Sequence, residues 1–374
     1  MAWSKHREPE AGQPVTLKHL AHHLGVHPTT VSMALRGQGR ISEPTRQRVL
    51  ALARDFQYTP NHVARSLRHR QTRMLGVVFP YTSMPYYATL LDALHVEADA
   101  RGLHLEVHFH QWSQDQEQRA VRAVITHRVE GLILIAAHAS SPQALEGFLA
   151  PRGDMAVVLI GSDIWAAVPS FVRAIVGTDH YAGARDLGTH LLQQGHRRIA
   201  ALVVDPREHA LGSKKVLGLQ AALQDQPGAE LILVPMPDDT VSATKATLRQ
   251  RGQSAARKLD VCRRIAEQFL QVSPPPTAVV TSDEPMAQIL LTALSARGLR
   301  VPQDISLACF DGTYLSELGT VPLTCVQQPF DALARRIMER VAQHPSESNP
   351  STAAVDLLPP RLVHRSSVGP PSRA

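Results

Sequence analysis

Apolar residues recur every three to four positions over residues 15–59, a spacing that predicts short amphipathic helices. The first helix is expected to begin at Thr16 and to stop at Gly25, a residue that favours helix ends. The second should begin near His27, with Pro28 at an early position where its missing N–H is tolerated. A third helix follows, so residues 15–59 are predicted to form a three-helix domain behind a polar leader, residues 1–14.

The second of these helices carries small hydroxyl side chains and is followed by arginines. A helix-turn-helix DNA-binding domain has this layout, with its second helix in the major groove. Hydroxyl groups can hydrogen-bond to base edges, a methionine can make an apolar contact with a thymine methyl group, and guanidinium groups can bind phosphates. The DNA-binding residues expected in this domain are Thr16, Pro28, Thr29, Thr30, Ser32, Met33 and Arg36. A three-helix bundle without DNA-binding function is the alternative.

From Met74 onward the pattern changes to short Val, Ile and Leu runs separated by helical stretches. Such alternation predicts parallel sheets with helices on both faces. The runs are too many for one doubly wound sheet, so we expect two doubly wound lobes with a ligand site at the carboxyl ends of the strands. The expected strands read LGVVFP, LHLEVHF, GLILIAA, VVLIGS, HRRIAALVV, TAVVTSD and ISLACFD.

Charge is divided unevenly between the two parts of the chain. Residues 1–73 contain twelve Lys/Arg and four Asp/Glu, a formal +8, so the whole-chain value of +6 leaves −2 for residues 74–374. A basic first domain is what phosphate contact requires, although a solvated basic surface has the same composition.

Composition and motifs exclude several classes of function. The three cysteines have no paired spacing, which predicts neither a disulfide framework nor a metal site and suits a reducing cytoplasm. No secretory signal or membrane-length apolar run occurs, so we expect a cytoplasmic protein that does not enter the membrane. Catalytic and nucleotide-binding motifs are also missing, so neither an enzyme nor a cofactor is predicted.

Residues 15–80 resemble the N-terminus of LacI/GalR-type transcriptional regulators; they read VTLKHLAHHLGVHPTTVSMALRGQGRISEPTRQRVLALARDFQYTPNHVARSLRHRQTRMLGVVFP. The resemblance continues more thinly almost to the C-terminus. It implies a regulator, most often a repressor, that binds a pseudo-palindromic operator as a homodimer. A periplasmic-type binding protein without DNA-binding function is the alternative, which the first domain and the lack of a signal segment disfavour.

The resemblance also gives a role to residues 60–73. In this family the segment is a hinge helix that orders on operator DNA, pairs with its twin and wedges a leucine into the minor groove. The residue in that position is Leu67, and the flanking residues expected to contact DNA are Asn61, Arg65 and Arg68. The alternative is an ordinary linker helix packed on the core.

For the remainder, the resemblance implies a core similar to periplasmic sugar-binding proteins, with two lobes joined by three crossovers. We expect those crossovers near Thr178, Asp311 and residues 344–351. The first lobe would then comprise residues 74–177 and 312–343, the second residues 178–311 and 351–367, and the tail residues 368–374.

A small-molecule effector is expected between the lobes, and a sugar, a nucleobase and a phosphorylated metabolite all remain open. Asp283 is placed to bind ligand hydroxyls or ring nitrogens, although it could equally cap the following helix. Lys215 stands where the family usually has arginine, which weakens a bidentate grip on the ligand. Tyr86 could pack on the ligand or serve only in lobe packing, and Asp163 is expected at the mouth of the cleft.

Overall fold

The computed structural model describes residues 15–58, 72–137, 142–151, 155–161, 168–203, 210–235, 264, 267–268, 271–342 and 353–372. The chain divides into two compact units, residues 1–72 and 73–374. Several predicted site residues lie outside the described residues: Asn61, Arg65, Leu67, Arg68 and Asp163.

The first unit contains the three predicted helices, α1 (Leu17–Leu24), α2 (Pro28–Leu35) and α3 (Glu43–Asp55). Gly25 ends α1 in the left-handed conformation, with φ +64°, which a residue without Cβ adopts at little cost. Each helix buries one stripe against the others, because none is long enough to be stable alone. The fully buried residues of this small core are Leu20, Ala21, Val31, Ala34 and Val49.

The second unit is an α/β fold built on two six-stranded sheets, which confirms the predicted fold class. All neighbouring strands of the first sheet run parallel, in the order β11-β5-β4-β3-β1-β2. Its strands are β1 (Met74–Phe79), β2 (His104–Phe109), β3 (Gly131–Leu134), β4 (Ala156–Ile160), β5 (Ala174–Thr178) and β11 (Ala354–Leu358).

The second sheet has the order β12-β10-β9-β8-β6-β7, in which only the edge strand β12 runs antiparallel to its neighbour. Its strands are β6 (Arg198–Val203), β7 (Glu230–Pro235), β8 (Ala278–Val280), β9 (Ser306–Asp311), β10 (Thr324–Gln327) and β12 (Arg361–Val363).

Helices cover both faces of each sheet, so that each sheet has two apolar cores. Helices α4 (Pro85–Asp99) and α10 (Phe330–Ala342) pack on one face of the first sheet, and α5 (Gln114–Thr126) and α6 (Pro142–Leu149) on the other. On the second sheet, one face is covered by α7 (His180–Gln193) and α8 (Ala210–Leu223) and the other by α9 (Glu284–Ser295).

Strand pairing corrects two of the three predicted crossovers. The chain leaves the first sheet after Thr178, as expected, but it does not return at Asp311, because β10 pairs with β9 in the second sheet. The return lies between Gln327 and α10, which packs on the first sheet. The third crossover lies between β11 and β12, at residues 359–360, rather than at 344–351, because β11 pairs with β5.

Helices α7 and α8 approach each other at glycine. A Cβ added to Gly218 would lie 2.3 Å from the backbone oxygen of Tyr181 and 2.7 Å from Cβ of Ala184. Backbone atoms cannot move aside as a flexible side chain can, so this position admits only glycine. Gly147, in contrast, lies exposed in α6 with nothing within 4 Å of an added Cβ.

A buried carboxyl group joins α9 to the loop after β9. Glu284 is fully buried, and its Oε2 accepts the hydroxyl hydrogen bond of Thr313. Its Oε1 is buried without a hydrogen-bond partner among the described residues. Burial therefore raises the pKa of Glu284 from 4.5 to about 7; the hydroxyl of Thr313 opposes this shift and the charge of Asp311 adds to it.

We expect Gly218→Ala to destabilise the protein by about 2 kcal/mol or more, because overpacking against backbone forces the helices apart. Gly147→Ala is the matched control; it should be neutral or stabilise by up to about 1 kcal/mol, since alanine favours helix over glycine. Urea unfolding of the full chain measures both. Equal effects of the two substitutions would contradict the close approach of α7 and α8.

Glu284 should make stability fall as pH rises. The folded state keeps the proton up to about pH 7, whereas the unfolded chain loses it near 4.5, so the stabilisation present below 4.5 is lost between these values. We expect wild type to lose about 2–3 kcal/mol relative to Glu284→Gln between pH 4.5 and 8. Urea unfolding across this range measures the difference, and a difference independent of pH would contradict a shifted Glu284.

Candidate DNA-contacting helix and effector cleft

One face of α2 is turned away from the core of the first unit. Val31 and Ala34 are buried, and at 100° per residue the opposite face is centred on Thr29 and Arg36. Both of these side chains are exposed. Ser32 and Met33 flank them and are half-buried, so the outward face consists of the residue types that the sequence analysis expected to contact bases and phosphates.

The start of α2 is fixed by a histidine cap. His27 is the N-cap residue, and its Nδ1 accepts the backbone N–H of Thr29 at 3.3 Å and lies 3.0 Å from the Thr29 hydroxyl. Pro28 occupies the first turn, as predicted. The capped helix therefore holds Thr29 in a defined position, and Thr30 lies to the side of the outward face in a half-buried position.

Two neighbouring residues also have defined contacts in the first unit. Sδ of Met33 lies over Gly39, where an added Cβ would be only 2.9 Å away. The guanidinium Nε of Arg36 donates to the backbone oxygen of Ser32 at 3.1 Å. Thr16 caps α1: its hydroxyl accepts the His19 N–H, and His19 Nδ1 accepts the Thr16 N–H in return. Thr16 is therefore structural in addition to any role on DNA.

In the second unit, polar side chains gather where strands of the second sheet end. Asp283 follows β8 and caps α9; its Oδ1 accepts the Met286 N–H at 2.9 Å, and its Oδ2 accepts the Ser282 hydroxyl at 2.9 Å. The N-cap role considered in the sequence analysis is therefore present. Remaining lone pairs on both oxygens leave capacity for further hydrogen bonds.

Lys215 contacts the same strand ends from α8. Its ammonium group donates to the backbone oxygen of Ser282 at 2.8 Å and lies 4.5 Å from the ring centroid of Phe310. A lysine held in this way supplies a positive charge at a fixed point, whereas an arginine would offer a planar pair of donors.

Asp311 is the acid that the sequence analysis missed as a site residue. It ends β9 with a positive φ of +88°, and its carboxyl group is largely buried. Burial raises the pKa of Asp311, the charge of Lys215 lowers it, and the charge of Asp283 raises it. The two acids and the lysine therefore form one electrostatic cluster.

Aromatic side chains of the first lobe interact with this cluster: Tyr81 follows β1, and Tyr86 lies in α4. Burial raises the pKa of Tyr86, and the charge of Asp311 raises it further. Burial also raises the pKa of Tyr81, the indole N–H of Trp112 lowers it by hydrogen bonding, and the charge of Asp283 raises it. The Tyr86 ring packs at 5.6 Å on Phe330, so the lobe packing considered for it is present.

His180 adds a neutral imidazole beside Lys215. Burial, together with the charge of Lys215, lowers the pKa of His180 to about 3. Its ring stands edge-on to Phe310 at 6.4 Å, and its buried Nδ1 has no hydrogen-bond partner among the described residues. No sequence motif distinguishes this histidine from the others; only its place at the first crossover could have pointed to it.

The predicted effector residues thus converge in part. Asp283, Lys215 and Tyr86 each interact electrostatically with Asp311, and His180 lies beside Lys215, so the structure adds Asp311 and His180 to these three predicted residues. Carboxylates, an ammonium group and aromatic rings together can bind a compact polar ligand by hydrogen bonds and ring packing. Among the described residues, no group of three or more His, Cys, Asp and Glu side chains is arranged to hold a metal ion. None of the described helices has the length and apolar character for crossing a membrane.

Comparison with known proteins gives a family match in each of the two units. Residues 16–61 match the family described as bacterial regulatory proteins, lacI family, and residues 189–368 match the periplasmic binding protein-like domain. The transcriptional regulator DegA of Bacillus subtilis strain 168 is 29% identical over 359 residues, covering 95% of this chain and 98% of DegA. The transcriptional repressor PurR of Salmonella newport is 26% identical over 354 residues, covering 94% and 96%.

The fold is also similar to that of a solved repressor structure. The crystal structure of a Lac repressor dimer bound to operator and the anti-inducer ONPF superposes with a TM-score of 0.75 at 24% identity, covering 96% of this chain and all of that one. At this identity the superposition establishes the fold alone. The chain belongs to the lacI family of bacterial transcriptional regulators, which are DNA-binding proteins and not enzymes, as shown by the lacI-family match at residues 16–61, the periplasmic binding protein-like match at residues 189–368 and the near full-length similarity to DegA and PurR.

Proposed function

We propose that this protein represses transcription by binding a pseudo-palindromic operator as a homodimer in the cytoplasm. The observation that carries the proposal is the capped helix α2, which turns Thr29, Ser32, Met33 and Arg36 away from the core of a basic first domain. Thr29, Ser32 and Met33 would contact base edges, and Arg36 a phosphate. Pro28, Thr30 and Thr16 would fix the approach of the helix.

The hinge residues complete the proposed DNA contacts. Leu67 would insert into the minor groove at the centre of the operator, and a polar and two basic side chains would bind beside it, Asn61, Arg65 and Arg68. Two copies of the chain are needed for this arrangement, because a pseudo-palindrome mirrors a protein two-fold axis.

Control would come from a small molecule in the crevice of the second unit. We infer that Asp283 and Asp311 accept hydrogen bonds from the effector, that Lys215 and His180 supply a charge and an imidazole, and that Tyr86 packs on it. Asp163 would join them at the cleft mouth. A sugar or a nucleobase matches acids and aromatic rings; a phosphorylated metabolite would have to meet two carboxylates with a single ammonium group, which disfavours it.

Substitutions in α2 should separate affinity from sequence preference. Operators selected in vitro from random duplexes by the full chain provide the probe. Arg36→Ala should weaken binding to all of them about tenfold and reduce the slope of log K against log salt by about two, because the homodimer loses one phosphate contact in each subunit. Met33→Ala should instead change the preferred base at one position of each half-site.

The matched control for this experiment is Arg185→Ala, which removes an exposed arginine from α7 in the second unit. Fluorescence anisotropy at several salt concentrations measures all three variants. Binding that is unchanged in Arg36→Ala, or lost equally in Arg185→Ala, would contradict DNA contact through α2.

The effector site is tested by neutral isosteres that keep the structural bonds. Asp283→Asn retains a good N-cap, and Asp311→Asn retains a residue that tolerates positive φ. A thermal-shift screen of sugars, nucleosides and phosphorylated metabolites on the full chain should yield compounds whose affinity drops about 10- to 100-fold in either variant, because a hydrogen bond to a charged acid is lost. Asp186→Asn, exposed on α7, is the control. Compounds bound equally by all variants would place the effector elsewhere.

A further inference from the structure

We infer that Gln328 is a positioning residue that links the acid Asp311 to Thr178, and through it to the two principal crossovers between the sheets. The inference rests on the proposed function in one respect, the role of Asp311 as an effector-binding acid. The three residues form a continuous buried chain of hydrogen bonds, and none of them was expected at the site from sequence.

The hydrogen bonds run in one direction. The Thr178 hydroxyl donates to Oε1 of Gln328, and Nε2 of Gln328 donates to Oδ1 of Asp311 at 3.0 Å. The backbone N–H of Gln328 also donates to the backbone oxygen of Asp311 at 2.9 Å. The glutamine therefore grips Asp311 at two points, one on the main chain and one on the carboxyl group.

Chemistry fixes the orientation of the Gln328 amide. An ionised carboxylate can only accept hydrogen bonds, so the NH₂ end of the amide must face Asp311. The carbonyl end must then face Thr178, whose hydroxyl can donate to it. A reversed amide would set its oxygen against the carboxylate of Asp311, two acceptors facing each other. In the observed orientation both hydrogen bonds are made, and each stabilises the next.

All three groups are removed from water. The exposed fractions are 4% for Thr178, 5% for Gln328 and 8% for Asp311. A buried polar group that loses its partner costs more than an exposed one, since water cannot replace the bond. Loss of the hydrogen bond at Thr178 should therefore weaken the hydrogen bond at Asp311, and the reverse.

The backbone of Asp311 needs such support. Its φ of +88° is uncommon for a residue with Cβ, and Gly312 follows with φ +67°. Gly312 lies so close to β10 that an added Cβ would be 2.5 Å from Cα of Gln327. Nε2 of Gln327 donates to the Gly312 oxygen at 3.1 Å. The turn that presents the acid is thus built on the residues where the chain leaves the second sheet.

Thr178 and Gln328 place these hydrogen bonds at two crossovers between the sheets. Thr178 is the last residue of β5, where the chain leaves the first sheet, and Gln328 lies between β10 and α10, where it returns. A relative movement of the lobes must alter the backbone at both places. The Asp311 carboxyl group is therefore oriented by the same residues that such a movement would displace.

A ligand-free double-mutant cycle on the full chain tests the linkage. Thr178→Val, Asp311→Gly and the double variant are compared by urea unfolding in the wild-type and Gln328→Met backgrounds. Asp311→Gly removes the carboxyl group, and glycine adopts the positive φ at this position without strain. Any stability gained in this way is present in both the single and the double variant, so it cancels in the cycle. Thr324→Val is the matched control. It removes a fully buried hydroxyl from β10 that hydrogen-bonds to Arg365 and takes no part in the hydrogen bonds between Thr178, Gln328 and Asp311.

We expect the midpoint shift of the double variant to differ by at least a third from the sum of the single shifts in the wild-type background. In the Gln328→Met background, the midpoint shifts of Thr178→Val and Asp311→Gly should add up to the shift of the double variant. The midpoint shifts of the control Thr324→Val and of Asp311→Gly should also add. Additive shifts of Thr178→Val and Asp311→Gly in both backgrounds would overturn the proposal.

The ligand arm uses each sugar or nucleoside that stabilises wild type in the thermal-shift screen. Thr178→Val should weaken its binding at least threefold, whereas Thr324→Val should leave it unchanged. A compound lost in Asp311→Asn but bound equally by Thr178→Val and Thr324→Val would overturn the linkage and leave the proposed function standing. A compound indifferent to Asp311→Asn would remove Asp311 from the effector site, and the ligand-free cycle would still decide the linkage.

Discussion

The direction of the strands is the constraint on which the rest of the second unit depends. Every neighbouring pair except β10–β12 is parallel, so the strands end at a common edge of each sheet. Polar residues far apart in sequence meet there because each follows a buried strand. Asp283 follows β8, Asp311 ends β9 and Gln328 follows β10, and tight apolar packing on both faces leaves these ends as the place for polar groups.

Helix periodicity and long apolar runs made most of the fold predictable. The three helices of the first unit and seven strands of the second carry strong patterns, whereas five strands were missed. β12 has only three residues and β10 only four, and the edge strand β11 alternates half-buried with exposed positions, so its apolar content is diluted. Two crossovers were misplaced because these strands were missed. A short strand joins one sheet or the other by pairing with a strand that is distant in sequence, and the local pattern does not encode that pairing.

The site was predictable only where a side chain directly follows a strong strand. Asp283 satisfied that rule, and Lys215 came from the family resemblance. Asp311 was taken as a crossover, although the Asp-Gly pair at residues 311–312 is a recognised turn signal that tolerates positive φ. The roles of Thr178 and Gln328 arise from one amide hydrogen-bonded on both sides across 150 positions of sequence, a relation that only the folded chain contains.

A ligand can shift an equilibrium between lobe arrangements only by the difference in its affinity for the two. An effector held by one lobe alone would bind both arrangements equally and would regulate nothing. Here the aromatic residues Tyr81 and Tyr86 belong to the first lobe, while Asp283, Asp311 and Lys215 belong to the second. A molecule contacting both groups must gain or lose contacts as the lobes move. Each 1.4 kcal/mol of that difference changes the ratio of the two arrangements about tenfold, so one charged hydrogen bond made in only one of them is enough for control.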